Sequence, residues 1–166
     1  EKGKTTEKRK DKIKKLYKNI KDTLSDYCNN LQDLTLQVEK YDDNRLRQKK
    51  LFLYFMQMGK SMYTGRCIDL EDLFNNNVYD IDHIYPQSKV KDDSFDNIVL
   101  VEKEENHRKS NELLKEEIQS RMNNYWIFLR ENKFISKEKY NRLTRKKDFT
   151  DEELGDFVAR QLVTTR

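Results

Sequence analysis

Residues 79–109 carry the pattern that most limits what this chain can fold into. Tyr79, Ile81, His83 and Tyr85 alternate with Asp80, Asp82 and Ile84, which predicts an extended segment with two unlike faces. Pro86 predicts its end, because proline has no N–H to give a ladder. Lys89-Val90-Lys91-Asp92-Asp93-Ser94 is polar and turn-rich, and Ile98-Val99-Leu100-Val101 is a β-branched apolar run of strand length. Two such runs joined by one short loop predict a hairpin. From Glu102 the residues favour helix, with Asn106, Lys109, Ser110 and Leu113 at three- and four-residue spacing. The predicted unit is strand, loop, strand, helix.

That unit can hold one divalent ion between its first strand and its helix, Asp82 offering a carboxylate oxygen and Asn106 an amide oxygen. Hard oxygen donors suit magnesium, which keeps several waters and takes phosphate oxygens as its remaining ligands. His83 fits a general base, since a free imidazole titrates at roughly pH 6.5 and takes a proton from water near neutrality. A metal beside it would stabilise the charge that develops on a phosphate and on the departing oxygen. These are the parts that phosphodiester hydrolysis needs. Alternation leaves one question open. Neighbours on a regular strand face opposite sides, so Asp82 and His83 share a metal site only where the strand ends, twists or bulges. Strict alternation instead pairs Asp80 with Asp82 and makes Asp80 a rival ligand.

Each residue also has a plainer role. A single histidine on a half-apolar strand is usually structural, Asp96-Asn97 is a turn signal ahead of a strand, and Asp80 can be a solvated or loop-capping residue. It is the combination of His83 with Asp82, Asn97 and Asn106 that reads as a site.

The stretch resembles the HNH (ββα-metal) nuclease domain, and more closely the version carried by the RNA-guided DNA endonuclease of type II CRISPR systems. The shared residues are Tyr79, Asp80, Asp82-His83-Ile84, Pro86-Gln87-Ser88, Lys91-Asp92-Asp93-Ser94, Asp96-Asn97, Val99-Leu100, Asn106 and Lys109-Ser110. Leu51-Phe52-Leu53-Tyr54-Phe55 with Gly59 and Met62-Tyr63 matches upstream. Asn124-Tyr125-Trp126, Arg160-Gln161-Leu162-Val163 and Thr165-Arg166 match downstream. The resemblance implies an α+β fold, a ββα-metal hairpin and helix surrounded by further α-helices. It implies His83 as base, Asp82 and Asn106 as metal ligands, Asn97 as a supporting residue, and magnesium as cofactor with manganese as a substitute. The implied substrate is the DNA strand paired to a guide RNA in prokaryotic CRISPR immunity, cut in the cytoplasm with the remaining domains of the parent effector as partners. The generic HNH pattern often ends on a histidine ligand. Here Asn106 holds that place and His107 follows it, rotated by roughly 100° on a helix, so His107 is a minor candidate. No Cys-x-x-Cys pair is present for a structural zinc. Alternatives are a free-standing HNH homing or restriction-type nuclease, or a catalytically silent nucleic-acid-binding module.

The implied organisation is one HNH domain over residues 1–166 excised from a larger protein. Residues 1–45 form an N-terminal linker and helix region, and 46–166 the nuclease core, its C-terminal helices and the start of an exit linker. With 39% charged residues and a net charge of only +4, basic patches must be local. Cys28 and Cys67 show no framework spacing and are expected as thiols. The absence of a long apolar stretch predicts a soluble chain with no membrane partner.

Ile13, Leu16, Tyr17, Ile20, Leu24, Tyr27 and Leu31 predict one long amphipathic helix, with Lys8-Arg9-Lys10, Lys12, Lys14 and Lys15 as its solvated basic face. A second helix is predicted from near Asp43, its cap, through Leu46 and the Leu51–Met58 cluster to Gly59. Leu113, Leu114, Ile118, Met122, Tyr125 and Leu129 predict another, with Tyr125 and Trp126 as core. Ser136 caps a shorter helix, and Thr150 with Glu153 forms a capping box before Leu154, Phe157, Val158 and Leu162.

Overall fold

The computed structural model describes residues 7–164; Thr165-Arg166 of the sequence match and the first six residues lie outside the described residues. The fold is α+β, as the sequence predicts. Among the described residues a two-stranded antiparallel sheet, β1 (Tyr79–His83) and β2 (Ile98–Glu102), is surrounded by seven α-helices. The register pairs Tyr79 with Glu102, Ile81 with Leu100 and His83 with Ile98. Ile98 to Val101 are all buried, so β2 is apolar on both faces rather than alternating. A two-stranded sheet has exposed edges, and that of β2 is covered by a side chain from outside the sheet. Gln57, itself buried, accepts from the Leu100 N–H at 2.8 Å and donates to the Leu100 carbonyl at 2.9 Å, standing in for a third strand.

Gln57 sits just past α3 (Lys49–Met56), whose six residues from Leu51 to Met56 are all buried. The predicted second helix is therefore shorter: Arg45–Arg47 forms a separate 3-10 turn before it. Asp43 does not cap that helix. Its carboxylate accepts from the Lys10 N–H at 3.0 Å, capping the start of α1 (Arg9–Ile20), while Asp42 accepts from the Arg45 N–H. Gly59 ends the α3 region as expected, with φ +71° and its N–H on the Tyr54 carbonyl.

The predicted long N-terminal helix is two helices. α1 stops at Ile20, Ser25 caps a 3-10 turn over Asp26–Cys28, and α2 (Leu31–Glu39) begins afresh. Leu24, counted on the apolar stripe, is fully exposed. Asp22, Thr23, Ser25, Asp26, Asn29 and Asn30 crowd this stretch with side chains that compete for backbone hydrogen bonds, and they prevail over the helical spacing.

α5 (Glu116–Glu131) buries Met122, Tyr125, Trp126 and Leu129. Trp126 donates to the Met62 carbonyl at 2.9 Å and Tyr125 to that of Gln57 at 2.6 Å, so both aromatics are core residues, as expected. Ser136 caps α6 (Lys137–Leu143) through the Lys139 N–H. Thr150 and Glu153 exchange both bonds of the predicted box at the start of α7 (Asp151–Thr164). Among the described residues no helix is long and apolar enough to cross a membrane.

Candidate active site

β1 ends at His83, three residues before Pro86, and this earlier end answers the question that alternation leaves open. Beyond the strand, Ile84 keeps one bond to the Asn97 carbonyl at 2.8 Å while the chain turns away. Asp82, His83 and Asn106 all line one cavity of about 250 Å³, together with Ile81, Pro86, Gln87, Ser110 and Asn111. Asn106 comes from α4 (Lys103–Lys109), which packs against both strands. This helix is shorter than its spacing predicts: Ser110 turns to φ 54° with its N–H on the Asn106 carbonyl, so Leu113 lies beyond it.

Asp82 is only 5% exposed, and a carboxylate so buried requires partners. Tyr63 donates its hydroxyl to Oδ2 at 2.6 Å, and the Lys109 ammonium lies 3.4 Å from the same oxygen while donating to the His83 carbonyl at 2.7 Å. Burial pushes the Asp82 carboxyl above its ordinary range against the pull of Lys109 and Tyr63. Burial likewise pushes the Lys109 amine down against the pull of Asp82. Desolvation outweighs the attraction for both members of the pair.

Asp80 does not join Asp82. Its Oδ2 accepts from the Asn106 side-chain amide at 2.8 Å and its Oδ1 from the Ile81 N–H at 2.9 Å. With the Asn106 nitrogen committed to Asp80, its Oδ1 is the donor atom left for a cation. His107, the next residue, is exposed and does not line the cavity. Asn97 is fully buried beneath the loop. It accepts from the Tyr85 N–H at 2.9 Å and donates to the Tyr85 carbonyl at 3.1 Å and the Asp92 carbonyl at 2.9 Å, which ties both ends of the loop together. The His83 ring is held from that loop, Nε2 lying 2.7 Å from Asp93 Oδ1.

The donor set on the cavity fits a hard cation: one carboxylate, one amide oxygen and room for waters or phosphate oxygens. Among the described residues no three His, Cys, Asp or Glu side chains converge, so a site built on three such ligands is not offered. Tyr63, Lys109 and Asp93 stand among the residues that carry the resemblance, but nothing in the sequence assigns them a role at the site. Lys109 lies three residues after Asn106 and so on its side of α4, but in a chain with 34 Lys and Arg one more lysine carries no signal.

Residues 61–113 match the family described as HNH endonuclease. The chain is 37% identical over 145 residues to the CRISPR-associated endonuclease Cas9 of Streptococcus mutans, covering 86% of this chain and 11% of that protein. It is 35% identical over 164 residues to the Cas9 of Listeria innocua, covering 98% of this chain and 12% of the relative. The chain belongs to the HNH endonuclease family. The Staphylococcus aureus Cas9 is 37% identical over 129 residues, 71% of this chain. The chain thus spans about 11–12% of the length of the curated relatives it matches. It is an HNH nuclease domain homologous to those of Cas9.

Proposed function

We propose that this domain, within a larger RNA-guided effector of the prokaryotic cytoplasm, hydrolyses the DNA strand paired to the guide RNA. Guide pairing reads the sequence there, and docking of the domain onto the duplex permits the cut. The observation that carries the reading is the meeting of Asp82, His83 and Asn106 on one cavity. His83 accepts a proton from water as the water oxygen bonds to phosphorus, and the bond from phosphorus to the leaving oxygen breaks, that oxygen taking its proton from solvent. Magnesium held by Asp82 and Asn106, with manganese as a substitute, would stabilise the charge on the phosphate and the leaving oxygen. Asn97 holds the loop that carries Asp93 toward the base, and Asp80 turns the Asn106 amide.

His83→Ala in the complete guide-loaded effector is expected to slow cutting of the guide-paired strand by about 10²- to 10⁴-fold while DNA affinity stays unchanged. Single-turnover cleavage and filter binding measure the two quantities. Full cutting by the variant would refute His83 as base.

A further inference from the structure

The loop between β1 and β2 is pinned at several points, and Asp93 is where it meets the site. Asp92 accepts from the Ser94 N–H at 2.9 Å and pairs with Arg142 at 2.9 Å, and its carbonyl is held by Asn97. Lys89 and Val90 both donate to the Pro86 carbonyl, and Asn97 donates to that of Ser94. Asp93, between these anchors, directs Oδ1 at His83 Nε2 at 2.7 Å, and Gln87 donates to the same oxygen at 3.3 Å. Lys49 reaches the Asp93 carbonyl at 3.4 Å.

We propose that Asp93 is a positioning residue for the reaction, fixing the His83 ring so that Nε2 carries the proton and Nδ1 is the basic nitrogen. A carboxylate can only accept, so a neutral imidazole bonded to it at Nε2 must donate there. The hydrogen bond from His83 holds the Asp93 carboxyl below its usual range, which keeps it an acceptor at neutral pH. His83 Nδ1 has no hydrogen bond among the described residues, and the ring lines the cavity shared with Asp82 and Asn106. Asp93 itself is absent from that lining, and its hydrogen bonds run to His83 and Gln87, which do line it. Its side chain is two-thirds exposed, and removing it opens no core.

The proposal rests on His83 being the base, and a double-mutant cycle in the complete guide-loaded effector separates the two. Single-turnover cleavage of the guide-paired strand is followed for hours, so that large losses remain measurable. Asp93→Ala alone is expected to slow cutting by about 10- to 100-fold, the usual cost of losing a partner that orients an active-site histidine, with DNA affinity and melting temperature unchanged. On the His83→Ala background the same change is expected to cost nothing further, because its only route of action is already gone. A merely structural residue would give the same factor on both backgrounds, and that result overturns the proposal. Wild-type cutting by Asp93→Ala beside a dead His83→Ala overturns it while leaving the base in place. Full cutting by His83→Ala removes the base and the proposal together.

Discussion

Asn106 owes its orientation to a residue two strand positions before Asp82. A primary amide can present either its oxygen or its nitrogen to a cavity, and the bond from Asn106 Nδ2 to Asp80 at 2.8 Å selects the oxygen. Asn106→Ala is therefore expected to cost at least about 10²-fold in cutting rate, and Asp80→Ala about 10-fold through a freed amide. His107→Ala should be silent, its side chain being exposed and off the cavity. Rates measured across a magnesium titration decide this, and a dead His107→Ala beside an active Asn106→Ala would overturn the helix register. At this scale the site was partly legible. Asp82, His83 and Asn106 stood out by type and order, whereas Asp93, Tyr63 and Lys109 did not, because their roles come from contacts made across the fold. Alternation left Asp80 a rival ligand, because the bond that engages it, from the Asn106 amide, forms across the fold.

At the scale of elements, local caps at α6 and α7 were readable, whereas apolar spacing ran α1 on past its true end and the cap expected of Asp43 went to another helix. Ser136 and the Thr150–Glu153 box each depend on a few adjacent residues, so sequence suffices. The break after Ile20 and the loan of Asp43 to α1 depend on which polar side chain reaches which N–H. The register of α6 has a cost that sequence also hides: Lys139 is 4% exposed, and burial pushes its amine down to about 7, Asp96 opposing. The unfolded chain holds that proton up to roughly pH 10.4, whereas the folded chain releases it near 7. Between these values the unfolded state binds more protons, so stability rises with pH by up to about 1.4 kcal/mol per pH unit. Lys139→Met should remove this slope and be several kcal/mol more stable than the parent at pH 6, the gain shrinking as pH rises. Urea unfolding at pH 6 and pH 9 measures it; equal gains at the two pH values would show that the lysine is not buried as a free amine.

For the whole molecule, one apolar core runs from Ile13 of α1 through α3 and β2 to Leu143 of α6, so the N-terminal helices and the site share their support. Charge is thin by comparison. A chain of net charge +4 can neutralise few phosphates, and the affinity of nucleic acid for such a surface comes almost wholly from counterion release. With about three or four phosphates contacted, nonspecific affinity should fall by roughly 40- to 150-fold between 50 and 200 mM salt. In the proposed effector the channel for the guide–target duplex holds the scissile phosphate in line with His83, and a chain spanning about 11–12% of its relatives' length is assayed without the rest of it. The effective concentration that orientation supplies is then lost. The 166-residue chain alone is accordingly expected to cut labelled duplex DNA slowly and without sequence preference when given magnesium. Rapid cutting at one defined sequence at moderate salt would contradict this, since it would mean that the chain carries its own sequence recognition and needs no guide.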